Sequence, residues 1–280
     1  MSVAIIQGAS GGLGVALTRH FLQHTNLKIY ALTHQAASSQ LVDIASPGTG
    51  PGRSSINDRL TVVEKVDVRE ESELERAAEM VKSREGNGVV RAIVCLAGVL
   101  HPEKSLSAIN PKEALTSFQI NALGQLLTYK HFVPLIPSKR EFQKLKEWHE
   151  DPARGLIGVN NSICCSLSAR VGSIGDNKNG GWYSYRASKA AVNQIIRTLD
   201  YELINKQSSA IAYAYHPGTI LTSFTYPIIG NLPPDISKGR FTVDQAVRNM
   251  GVIMGKVKRG ANDGGMGGKC WDWKGERIEW

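Results

Sequence analysis

Cysteine is scarce, with four in 280 residues. Cys95 and Cys270 stand alone, and the neighbours Cys164 and Cys165 suit a strained vicinal disulfide poorly. No CxxC pair and no His/Cys cluster at zinc spacing occurs, so no metal site is expected and the thiols should be reduced and partly buried. No run of about eighteen apolar residues exists, which excludes a membrane-spanning helix. The chain enters an apolar stretch at Val3 almost at once, without the charged, apolar and small-residue zones of a signal peptide or an Arg-rich presequence. A cytoplasmic protein is the expectation. Also missing are internal repeats and any basic motif interleaved with aromatics. The formal charge of +8 concentrates at 139–146 and 256–259. These clusters read as solvated surface, or as a field that steers an anionic ligand, and no nucleic-acid partner is expected.

What is present is a core-forming composition, 42% hydrophobic, with strands and helices in alternation. Strand-like stretches fall at 3–7, 27–33, 60–66, 89–97, 156–167 and 210–216. Helix-like stretches fall at 13–24, 35–45, 70–84, 118–132 and 183–205, with Leu74, Ala77, Ala78 and Val81 forming one apolar stripe. Such alternation implies right-handed crossovers and a Rossmann-type doubly wound parallel sheet in the α/β class. One domain over 1–280 is expected, with polar insertions near 46–55, a loop rich in Gly, Pro and Ser, and 137–154, which has room for a short exposed helix.

The first strand runs into Gly8-Ala9-Ser10-Gly11-Gly12-Leu13-Gly14, and a helix follows. Glycines let backbone amides approach a pyrophosphate, and the helix N-terminus adds partial positive charge. Gly8, Gly12 and Gly14 fit G-xxx-G-x-G, whereas Gly8, Gly11 and Gly14 fit G-xx-G-xx-G. The spacing GxGxxG does not fit. A dinucleotide is the expected ligand.

Tyr185 alone among eight tyrosines has a lysine, Lys189, four residues later. Helical geometry puts the two side chains on one face. Tyrosine titrates near pH ~10, so it is a poor base at neutrality. A neighbouring ammonium is expected to lower that value and make the phenol a useful acid/base. The pair opens a helix whose stripe is Val192, Ile195, Ile196, Leu199 and Leu203.

With these motifs in place, the chain resembles the short-chain dehydrogenase/reductase family over essentially its full length, and most of all its C-factor and sniffer-like carbonyl reductases. The stretches that carry the likeness are Ser168-Ala169-Arg170-Val171-Gly172-Ser173-Ile174, Gly180-Gly181-Trp182-Tyr183-Ser184-Tyr185-Arg186-Ala187-Ser188-Lys189, and the tail from Trp273 to Trp280. The resemblance implies that Tyr185 is the catalytic acid/base and that Lys189 tunes it and binds the nicotinamide ribose. It implies that Asn121 holds a water in a proton relay, although an exposed helical asparagine would look the same. Asp67 and Val68 would contact adenine, although Asp67 would equally suit an N-cap. Ala97 and Gly98 end the fourth strand like the family's Asn-Asn-Ala-Gly, with Cys95 and Leu96 in place of both asparagines. Pro217, Gly218, Ile220 and Thr222 match the segment beside the nicotinamide.

One departure is serious. The family's catalytic serine lies three residues before the glycine that is Gly172 here, and that position is Ala169. Ser173, in the loop over the site, is the preferred source of the missing hydroxyl. Ser168 is the alternative, although strand alternation aims it at the opposite face. A third option leaves substrate oxygen to Tyr185 alone.

The second strand ends Leu32-Thr33-His34-Gln35 without the carboxylate that NAD enzymes place on the ribose. Ser10 and Thr33 are candidate phosphate donors and His34 stands near the usual arginine, so NADP(H) is expected over NAD(H). The expected function is hydride transfer between NADP(H) and a carbonyl or alcohol. Two alternatives stay open, an epimerase or dehydratase with tightly held NAD and a catalytically weak cofactor-binding protein. The family resemblance implies a homodimer or homotetramer acting on a small molecule, with neither nucleic acid nor membrane as partner.

Overall fold

The pattern of wholly buried strands sets the architecture. β1 (Val3–Gln7) and β4 (Val90–Cys95) are buried at every residue, as strands covered on both faces must be. Around them run β2 (Lys28–Leu32), β3 (Leu60–Val63), β5 (Ser162–Leu167), β6 (Ala210–His216), β9 (Cys270–Asp272) and β10 (Arg277–Ile278) in the order β10-β9-β6-β5-β4-β1-β2-β3. All neighbours pair in parallel except β10, which returns antiparallel along β9. A small second sheet pairs β7 (Thr219–Ile220) with β8 (Arg240–Phe241). This computed structural model describes residues 2–36, 39–45, 58–145, 150–260 and 265–280. The loop expected at 46–55 lies outside the described residues.

Helices cover both faces. α1 (Gly12–His24), α2 (Ser39–Ala45) and α9 (Val243–Lys256) pack on one side. On the other lie α3 (Glu71–Glu85), α4 (Pro111–Phe118), α5 (Gly124–Phe132) and the long α7 (Tyr183–Asn205). α6 (Lys139–Leu145) belongs to the 137–154 insertion, and α8 (Tyr226–Ile229) follows β7. The chain runs outward from β1 to β3, then restarts at β4 on the opposite side of β1. That reversal opens a crevice at the C-terminal ends of β1 and β4, where ligands of such sheets bind. Among the described residues no helix is long and apolar enough to cross a membrane.

Three of the differences from the sequence reading are informative. The helix expected at 118–132 begins at Pro111, because Asn110 caps it by accepting from the Lys112 and Glu113 N–H groups. It also contains a π-turn at Gln119–Leu123, the kind of interruption that often marks a functional position. α9 was not anticipated, although its capping box, Thr242 with Gln245, is written in the sequence. β5 starts at Ser162, because 156–161 forms turns rather than strand.

The insertion is fastened to the sheet rather than merely exposed. Arg91 on β4, 2% exposed, places its guanidinium 4.7 Å from the Phe142 ring of α6. It also donates to the carbonyls of Gly158 at 3.1 Å and Asn161 at 3.3 Å. Arg91→Met should therefore lower stability by about 2–4 kcal/mol in urea unfolding, since it strands buried carbonyls. A loss below about 0.5 kcal/mol would show that the insertion is not held this way.

Candidate active site

The glycine turn is fixed by close backbone packing. Gly8 has φ +79°, and a Cβ there would lie 2.6 Å from the Ala97 nitrogen. A Cβ on Gly14 would lie 2.4 Å from the Gly8 carbonyl oxygen. Both distances are impossible for a real side chain, so these two glycines hold the turn against β4. Gly11 at the start of α1 makes no side-chain cap bond, so the helix N-terminus meets the crevice with its first amides uncapped by any side chain. That cradle fits a diphosphate. A residue overlooked in the sequence completes it: the Gln7 Oε1 accepts from the N–H groups of Leu96 at 3.1 Å and Ala97 at 3.0 Å. Gln7 thereby ties β1 to the end of β4, where Cys95 and Leu96 bring no amide side chain.

A cavity of ≈ 850 Å³ runs from this turn to α7. Gly8, Ser10, Gly11, Gly12, Leu13, Gly14, His34, Asp67 and Val68 line one end. Ala97, Gly98, Ser168, Tyr185, Lys189, Pro217, Gly218, Ile220 and Thr222 line the rest. Thr33 does not join them: it is fully buried, and its hydroxyl donates to the Gln35 carbonyl at 2.8 Å. Asp67 is not the N-cap of α3, which is Glu70. Its carboxylate binds Arg69 at 2.6 Å, and the bonds from Arg69 hold it below the usual carboxylate range. Arg69 also lines the cavity, a cation that the sequence reading passed over.

Tyr185 and Lys189 share one face of α7, and both are buried. The Lys189 Nζ lies 5.7 Å from the Tyr185 ring centroid and donates to the Leu167 carbonyl at 2.8 Å. Here electrostatics differs from expectation. Burial pushes the Tyr185 phenol well above its ordinary pKa, and the same desolvation lowers Lys189 to about 8. Lysine does not acidify the phenol at this separation, because water exclusion dominates and disfavours both charged forms.

Asn121 sits in the π-turn with its side chain fully used. Its Oδ1 accepts from the Val99 N–H at 2.8 Å, and its Nδ2 donates to the Val99 carbonyl and the Ser188 hydroxyl, each at 3.0 Å. The amide thus clamps the strand end beside the cavity and has no N–H left for a relay water. Ser173, the preferred hydroxyl, does not line the cavity. A 3₁₀ turn at Arg170–Gly172 carries it away, and its Oγ accepts from the Asp176 N–H at 3.1 Å. Ser168 does line the cavity, but its hydroxyl donates to the Asn193 Oδ1 on α7 at 2.7 Å. The Ser168 hydrogen is thus spent on Asn193, and Ser173 lies off the cavity lining. His216 also lines the cavity; burial, then Arg170, lowers its pKa to about 4, so the imidazole is neutral.

The start of α7 depends on another unforeseen residue. Trp182 adopts φ +53° at the N-cap and makes no side-chain cap bond. Glu103, 5% exposed in the loop after β4, substitutes from outside the helix. Its Oε1 accepts from the Ser184 N–H at 3.3 Å and from the Ser184 hydroxyl, and its backbone carbonyl accepts from the Trp182 N–H at 2.6 Å. A carboxylate at a helix N-terminus is stabilised by the helix dipole. This one lies immediately before Tyr185.

No protein-family model matches the chain. A 1-hydroxy-2-glutathionyl-2-methyl-3-butene dehydrogenase of Rhodococcus is 26% identical over 226 residues, 80% of each chain. C-signal of Myxococcus xanthus is 26% identical over 156 residues, 56% of this chain and 81% of that one. The chain is similar to short-chain dehydrogenases/reductases. A crystal structure of NADPH-bound carbonyl reductase from chicken fatty liver shares the fold, with a TM-score of 0.75, 22% identity and 100% and 98% of the two chains covered. The similarity to C-signal agrees with the C-factor and sniffer-like subgroup of these short-chain dehydrogenases/reductases.

The Glu103 contacts give a direct test. Glu103→Ala should cost about 1–2 kcal/mol of stability, as loss of a helix cap does. It should also lower turnover by about ten- to a hundredfold through misplacement of Tyr185. Glu103→Gln keeps an acceptor oxygen and should retain most turnover. Equal losses in the two variants, measured by kcat and by thermal unfolding, would contradict capping.

Proposed function

We propose that this enzyme reduces the carbonyl of a small molecule with NADPH, with Tyr185 as the proton donor. The observation that carries this reading is the buried Tyr185–Lys189 pair at one end of a cavity whose other end is the glycine cradle. When bound, the nicotinamide would supply or accept the hydride. Carbonyl reduction needs a proton at the developing alkoxide, and a phenol whose ionisation is suppressed by burial carries one throughout the neutral range. Lys189, held by the Leu167 carbonyl, lies beside Gly98 and is placed to bond a ribose hydroxyl. Asn121 acts by fixing Val99 at the cavity wall.

Three features support NADP(H) over NAD(H). No carboxylate ends β2, His34 lines the cavity there, and Arg69 neutralises Asp67. The glycine turn, with Ser10 in it, faces the same end. A second reading, a weakly catalytic cofactor-binding protein, is favoured by one observation, the lack of a directed serine hydroxyl beside Ala169. The continuous sheet supports one domain. Four free, buried cysteines suit a reducing cytoplasm. Leu115, Leu123 and Leu126, with Tyr201 and Ile204 of α7, are exposed apolar side chains that support a homo-oligomer through these helices.

The test combines binding and rate. NADPH should bind at least about tenfold tighter than NADH, a difference of roughly 1.4 kcal/mol. Tyr185→Phe should lower kcat by about 10²–10⁴-fold with the NADPH Kd nearly unchanged. The pH profile follows from the raised phenol: the acid form is required, so reduction should be flat through neutrality and fall only on the alkaline side. A reduction rate that climbs with pH between 6 and 8 would contradict Tyr185 as the proton donor, and measurable NADPH binding with no turnover across ketones, quinones and aldehydes would favour the non-catalytic reading.

A further inference from the structure

The charges along the cavity do not balance at the end where a substrate would sit. Asp67 answers Arg69 at the far end, at 2.6 Å. Arg170 meets Asp272 at 3.0 Å and Asp176 at 3.6 Å, so the one acidic side chain lining the substrate end, Asp176, is already matched. Two cations remain. Lys189 has the role proposed above. Arg186, the residue after Tyr185, lines the same cavity and is in no ion pair among the described residues.

Its guanidinium is held in place. The Nε–H donates to the Gly181 carbonyl at 3.0 Å and an Nη1–H donates to the Val171 carbonyl at 3.3 Å. These bonds tie it to both ends of the segment that crosses over the site. They use two of the five N–H donors that a guanidinium carries. Asn179, from the same segment, lines the cavity as well and brings an amide. A half-buried, oriented guanidinium without a counter-ion is costly to keep unless a ligand supplies the charge, and its planar fork matches a carboxylate.

We propose that the carbonyl substrate carries a carboxylate, which Arg186 receives while Tyr185 faces the reacting carbonyl. This deepens the reductase reading and rests on it. Arg186 and Tyr185 line the same cavity, so one substrate can present its carboxylate to the first and its carbonyl to the second. That makes an oxo acid a better fit than a neutral ketone. Arg186 is then a substrate-binding residue that selects by charge.

A charged and neutral pair of probes tests it: benzoylformate and its methyl ester, offered to the enzyme saturated with NADP⁺ and followed by calorimetry. The acid should bind at least about tenfold tighter than the ester, the scale expected for a charge-assisted bidentate contact. Arg186→Gln, which retains a donor for the backbone carbonyls, should erase that preference, and Arg186→Lys should keep part of it. Equal Kd values for acid and ester in the wild-type enzyme would overturn the proposal without reference to any variant, as would an unchanged preference in Arg186→Gln. Reduction of the ester by NADPH alongside equal Kd values sinks the carboxylate assignment alone and leaves the reductase reading standing. Absence of NADPH binding sinks both.

Discussion

Exclusion of water at the first turns of α7 is the constraint on which the rest depends. Tyr185 and Lys189 are both buried there, and desolvation drives their pKa values apart, the phenol up and the ammonium down to about 8. The pair therefore stores a proton on oxygen rather than an ion pair. A protonated phenol is the form that carbonyl reduction consumes. Much of the surrounding structure serves to keep this turn dry and oriented. Glu103 caps it, Asn121 holds Ser188 and Val99 beside it, and the Leu167 carbonyl anchors Lys189.

The fold was legible because its signals are local. Buried central strands read as apolar runs, and α7 runs over the residues its apolar stripe implied. Gly8 and Gly14 were legible for the same reason: their spacing reports a turn in which a Cβ would collide with backbone. The electrostatics of Tyr185 was not legible. Spacing of i to i+4 places two side chains on one face, but it says nothing of how much water remains around them. That depends on packing from β6, α4, the π-turn and the turn at Arg170–Gly172.

The residues that were missed share one property: their partners are distant in sequence. Gln7 acts on Leu96 and Ala97, Glu103 on Ser184, and Arg91 on Gly158 and Asn161. Such long-range bonds replace what local motifs lack. β4 ends in Cys95 and Leu96, and Gln7 supplies the amide from the neighbouring strand. Ala169 leaves no hydroxyl at its position, and neither Ser168 nor Ser173 takes its place, since Ser168 donates to Asn193 and Ser173 lies off the cavity lining. The neutral His216 and the guanidinium of Arg186 are among the polar groups that the cavity offers instead.

Direct titration of the two side chains is the decisive measurement. NMR of the protein labelled at tyrosine Cζ and lysine Nζ, assigned through Tyr185→Phe and Lys189→Met, follows each ionisation separately. Burial predicts that Tyr185 stays protonated beyond the ordinary tyrosine value of ~10, while Lys189 loses its proton near pH 8. A Tyr185 that ionises near neutrality while Lys189 remains charged would contradict the account.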